Sequence, residues 1–130
     1  MIYSNDTVWW SFTTQVPMPG AFNKSSPANS ASGQASTLNL SWVPSPSATG
    51  YEYCFDTTND NACNSAWFNN GTSTTANISG LLTATTYYWQ VRASNPAGVT
   101  LANTGAWWSF TVDHHPVIPV KKTFLPWVSR

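Results

Sequence analysis

The chain has 130 residues, enough for one domain of ordinary size and too few for two with separate cores. Five Lys and Arg balance five Asp and Glu, and only 8% of residues are charged, so no basic face exists to neutralise a phosphate backbone and nucleic acid is not an expected partner. Eight Trp, six Phe and five Tyr stand beside 33 Ser and Thr and 12 Asn, a β-rich palette of extracellular character whose solubility rests on hydroxyls and amides rather than on charge.

No run approaches the roughly 18 to 20 apolar residues that cross a bilayer, so no membrane span is expected. The first 20 residues do not form a secretory signal either, because they carry Asp6, lack Lys and Arg, and break their apolar stretch with Ser11, Thr13, Thr14 and Gln15. Within them Trp9-Trp10-Ser11-Phe12-Thr13 recurs letter for letter as Trp107-Trp108-Ser109-Phe110-Thr111, an offset of 98 residues. That offset is the size of one β-sandwich domain, and self-similarity at a fixed period is the mark of a tandem array. Residues 1–14 therefore read as the last strand of a preceding repeat, or as a separate strand of this domain, and the chain as the C-terminal piece of a longer secreted protein. Residues 15–113 form the domain and 114–130 a tail.

Pro17-Met18-Pro19-Gly20 is a linker and lead-in turn, and residues 25–33 read as loop. Leu38, Leu40 and Trp42 alternate with polar residues up to Pro44, giving a half-buried strand. Tyr51, Tyr53 and Phe55 alternate next, then a turn at Asn59-Asp60-Asn61, a short strand begun by Ala66-Trp67-Phe68, and alternation through Thr74, Ala76 and Ile78. The longest strand places Tyr87, Trp89, Val91 and Ala93 on one face and Tyr88, Gln90 and Arg92 on the other, and Trp108, Phe110 and Val112 form the last. About seven short antiparallel strands and no helical periodicity predict an all-β, immunoglobulin-like sandwich. Leu38, Leu40, Trp42, Tyr53, Ile78, Leu81, Tyr87, Trp89, Val91, Trp108 and Phe110 are its expected core, each worth about 1.5 to 3 kcal/mol when well buried, before entropy.

The segment from Gly80 to Ala93 resembles the signature of fibronectin type III domains: Leu81, a short turn, then Tyr87 and an alternating strand through Trp89 and Val91 to Ala93. Trp42 matches the tryptophan of that family's second strand, and the terminal Trp108-Ser109-Phe110 strand is similar to its bacterial, secreted and cell-surface branch. The resemblance implies that the Tyr87 ring fills one end of the core while its hydroxyl satisfies a backbone group of the crossing loop. The sequence departs from the family at Thr83 and Ala84, where Pro and Gly are usual. The tail, with Phe124-Leu125-Pro126-Trp127-Val128-Ser129-Arg130, is similar to the C-terminal endings of some secreted bacterial proteins, and reads as a sorting tag or as a frayed Pro-rich end.

Cys54 and Cys63 flank a polar turn at a spacing that suits a disulfide across a hairpin, with two free buried thiols as the alternative. A zinc site lacks partners, since His114 and His115 both lie in the tail, and no metal or other cofactor is expected. The turn from Asp56 to Asn61 offers oxygens to calcium but lacks the glycine and distal glutamate of an EF-hand loop, so Asx-turn chemistry is the expected use. Glu52, Asp56 and Asp60 cluster around one hairpin rather than across a cleft, and no histidine in the domain could activate a nucleophile, so the chain does not read as an enzyme.

What remains is a surplus of aromatics. Trp67, Tyr88 and Trp107 are the candidate binding surface, which could stack on sugar rings or pack against a neighbouring repeat, while for Trp107 packing on the linker or on Arg92 by a cation-π contact is the expected use. The function expected is an extracellular or cell-surface structural module, a spacer or adhesion domain whose partners are neighbouring repeats of the same chain and an extracellular polysaccharide or protein. The alternative is a carbohydrate-binding module, appended to a secreted hydrolase. Binding calls for coplanar exposed rings about one sugar unit apart; a spacer calls for rings scattered or covered.

Overall fold

The structure is a computed structural model and describes residues 16–113. The repeated pentapeptide's first copy, the tail and its histidines lie outside the described residues.

Nine strands follow in chain order: β1 (Lys24–Ser26), β2 (Ala31–Gln34), β3 (Leu38–Trp42), β4 (Gly50–Asp56), β5 (Phe68–Asn69), β6 (Thr75–Ile78), β7 (Thr86–Asn95), β8 (Gly98–Leu101) and β9 (Trp108–Val112). They form two sheets, β1-β3-β6 and a six-stranded sheet in the order β2-β9-β7-β4-β5 with β8 also on β7. The all-β sandwich expected from the alternation is the fold observed. The count exceeds seven because two strands are broken. Residues 25–33, expected to be loop, carry β1 and β2: the chain pairs antiparallel with β3, then switches sheets and pairs with β9. That second pairing is parallel, a departure from the all-antiparallel expectation. Ser26-Pro27 is cis, between the two pieces.

The other broken strand is the last one. Register runs Arg92↔Leu101 on β8 and resumes at Trp89↔Trp108 on β9, so two residues of β7, Gln90 and Val91, face six of the returning chain. The excess is taken up by a tight 3₁₀-type turn over Ala102–Gly105, in which Asn103 and Thr104 hold φ of 56° and 55°.

The core lies between the sheets, where Leu40, Trp42, Ile78 and Leu81 meet Tyr87, Trp89, Val91 and Phe110, all buried. Phe22, Tyr51, Ala76, Ala93, Ala102 and Val112 complete it. Leu38, Tyr53 and Trp108, expected inside, are only partly buried and pack on the core's margin. For Tyr53 and Trp108 the reason is coverage, since three strands cannot shield the whole inner face of six, whereas Leu38 stands at the end of its own strand in the smaller sheet. The Tyr87 hydroxyl accepts the Leu82 N–H at 2.9 Å, the closure its ring position implied. A second phenol does the same at the other end, where the Tyr51 hydroxyl accepts the Ser45 N–H at 2.8 Å.

Candidate functional site

Side chains alternate along a strand, so β4 and β7, paired with Glu52 opposite Arg92 and Cys54 opposite Gln90, carry these four on the face turned away from the core. Arg92 Nε donates to Glu52 Oε1 at 2.6 Å, with both side chains about one-third exposed. The guanidinium lies 4.2 Å from the centroid of Trp67, and Trp67 in turn meets Trp107 at 6.4 Å with planes 56° apart. Glu52, Arg92, Trp67 and Trp107 thus form one contact chain over the larger sheet. Exposed pairs of this sort contribute roughly 0 to 1 kcal/mol for the ion pair and 0.5 to 1 kcal/mol for the cation-π contact. Tyr88 stands opposite Asp56 and Ser109, outside the Trp67 and Trp107 contact. The three rings do not make a coplanar row, and Arg92 occupies one side of Trp67.

Trp67 lies four residues beyond the loop that the disulfide closes. Cys54 and Cys63 are bonded, with Cα atoms 6.0 Å apart, and Cys54 is fully buried. The loop's carboxylates serve its own amides. Asp56 accepts the Thr58 N–H at 3.0 Å and the Asn64 N–H at 2.8 Å; Asp60 accepts the Ala62 N–H at 3.2 Å and the Asn64 side-chain amide at 2.8 Å. The contacts to Thr58 and Ala62 are Asx turns, those to Asn64 tie the far side of the loop back, and together they use both oxygens of each carboxylate.

On the other side of β4, Tyr53, Phe55 and Phe68 make a second aromatic group. Tyr53 lies 6.3 Å from Phe55 with planes 7° apart and 5.3 Å from Phe68 at 29°, and Phe55 touches the core at Tyr87. Phe68 is 43% exposed. The alternation that put Tyr53 in the core identified its face correctly; what it could not show is that the smaller sheet stops short of it.

Sequence reasoning gave Lys24 no role and left Gln90 on the solvent face. Both are buried. The Lys24 ammonium reaches from β1 to donate to Gln90 Oε1 at 2.8 Å and to Ala106 O at 2.7 Å, and it sits 5.6 and 5.5 Å from the Trp89 and Trp108 ring centroids. Gln90 Oε1 also accepts the Val91 N–H at 2.9 Å, taking the place of a partner the interrupted strand does not supply. Burial pushes the Lys24 amine down to about 7. The signal in the sequence was the excess of residues between Leu101 and Trp108, with Asn103 and Gly105 among them.

No protein-family model matches the chain, and no curated protein matches it. Solved structures do. One is the sixth fibronectin type III domain from human fibronectin type III domain containing protein 3, with TM-score 0.54 and 15% identity over 85% of this chain and 98% of that one. Another is a fibronectin type III domain derived from the human KIAA0970 protein, with TM-score 0.51 and 23% identity over 76% of this chain and 78% of that one. A Fn3-like protein from Clostridium thermocellum gives TM-score 0.49 at 21% identity, over 76% and 95% of the two chains. The likeness at these identities is one of fold: the chain has the fibronectin type III sandwich.

Proposed function

We propose that the domain is a non-enzymatic, extracellular structural and interaction module, one link in a chain of sandwich repeats. The observation that carries this reading is the use of the outer-face aromatics by the domain itself. Arg92 covers Trp67 at 4.2 Å, and Trp107 leans on Trp67 at 56° instead of lying beside it. Rings arranged in this way tie the disulfide loop to the sheet rather than offering a flat surface to a sugar. The Cys54 and Cys63 bond supports the extracellular part of the reading, because such bonds persist in oxidising compartments.

The test is a screen of the full chain against immobilised polysaccharides and a glycan array. The expected result is retention on none. Retention that Trp67→Ala abolishes would replace this reading with the carbohydrate-binding one.

A further inference from the structure

The chain enters the sandwich through a joint that the fold grips residue by residue. Gly20 donates its N–H to Pro46 O at 2.8 Å, and its carbonyl accepts the Ser45 hydroxyl at 2.6 Å. Thr100 Oγ1 donates to Pro19 O at 2.6 Å. The Asn95 side-chain amide donates to both Pro17 O and Ser47 O at 2.8 Å, while its Oδ1 accepts the Ala97 N–H of its own turn at 2.8 Å. Met18 lies over Gly98, close enough that a Cβ there would stand 3.2 Å from its methyl. Pro17 and Pro19 fix their own φ as well. Despite this grip, Val16 and Met18 leave 51% and 53% of their surface exposed.

The internal repeat gives this joint a meaning. With an offset of 98, Val112, the last residue of β9, corresponds to Thr14. Only Gln15 and Val16 then separate the end of a preceding repeat from Pro17, the first gripped residue. The three steps from Thr14 to Pro17 reach at most about 11 Å, too little for a sandwich to swing clear.

We infer that the end of the domain made by Pro17–Gly20, Pro46, Ser47 and the β7–β8 turn is the interface for the preceding repeat of the same chain, held at a set angle. The inference rests on the tandem-repeat reading above. By the same repeat, the surface that meets it is the counterpart of this domain's opposite end, where Gly33, Ala84 and Asp113 line a shallow cleft. The ten residues of β7 set these two ends about 33 Å apart. Head-to-tail contact between unlike ends builds an open row rather than a closed pair.

Two measurements test this. The first is ¹⁵N relaxation of the full chain and of the variant Asn95→Asp with Thr100→Val. Asp keeps the acceptor for Ala97 but sets a carboxylate against the carbonyls of Pro17 and Ser47. The Met18 and Gly20 amides should show order parameters near about 0.85, as in β7, and fall below about 0.6 in the variant while β7 is unchanged. Low values in the unaltered chain, or no change in the variant, overturn the joint.

The second uses the full chain with residues 16–106 fused ahead of Trp9, so that residues 9–14 complete an added unit. Both units should tumble as one body. Independent tumbling overturns the interface alone. An added unit that fails to fold overturns the repeat reading beneath it, whatever the relaxation of the joint shows.

Discussion

Lys24 Nζ and Gln90 Oε1 meet at 2.8 Å, a buried amine on β1 of the smaller sheet against a fully buried amide on β7 of the larger. Lys24 packs against Trp89, Trp108 and the Ala106 carbonyl, and none of these titrates. This contact closes the sandwich where its last strand is interrupted, and it makes the fold sensitive to pH in one direction.

The amine titrates at about 7 in the fold against 10.5 in the unfolded chain, because burial penalises its charged form. Between those values the unfolded chain holds the extra proton, so stability rises with pH across the window from about 7 to 10.5. The limiting slope is about 1.4 kcal/mol per pH unit, an upper bound for a site that relaxes on titration. Urea midpoints from pH 7 to 9.5 should climb for the chain and stay flat for Lys24→Met. A midpoint that falls with pH, or a variant that keeps the slope, removes the assignment.

Ala84 carries φ of 54°, in the left-handed region that glycine adopts without strain. Ala84→Gly should therefore stabilise the domain by about 0.5 to 1 kcal/mol, the strain relieved exceeding the unfolded-state entropy gained. Thermal melting of the two chains decides it, and a lower melting temperature for the glycine variant contradicts the account.

Tyr87→Phe removes the acceptor of the Leu82 N–H while keeping the ring in the core. The cost should be about 1 to 3 kcal/mol, the penalty for leaving a part-buried donor unmet. Chemical denaturation measures it, with a loss near zero counting against the closure.

Breaking the Cys54 and Cys63 bond, by Cys54→Ala with Cys63→Ala, frees a loop closed at a sequence separation of nine. The loss should be roughly 2 to 3 kcal/mol. It should also release Trp67 from Arg92, visible as a change in Trp67 fluorescence or indole shift in the folded state. An unchanged Trp67 signal would show that the loop holds its place without the bond.

How much of this was legible in the sequence depends on how local each feature is. Alternation through Tyr87, Trp89 and Val91 is a property of one strand, and it gave the inner face of β7 directly. The Leu81 and Tyr87 spacing likewise encodes a closure within six residues. Lys24 and Gln90, by contrast, are 66 residues apart, and each taken alone looks like a polar residue on a surface strand. Their burial goes with the interruption after Leu101, where Lys24 and Gln90 both meet the Ala106 carbonyl. Arg92 and Trp67 were also named separately, but their stacking depends on where a disulfide loop returns, which no periodicity records. Tyr53 shows the limit of alternation, since it gives the face of a strand and not the width of the sheet covering it.

The core is cooperative and is closed across the interruption by Lys24 and Gln90. Residue-by-residue amide hydrogen exchange on the full chain tests it most directly at Val91, whose N–H is held by the Gln90 side chain instead of a neighbouring strand. Val91 should exchange as slowly as Leu40 and Phe110, through global unfolding alone, and Lys24→Met should speed it. Exchange of Val91 at the rate of the loop amides in the unaltered chain would contradict it.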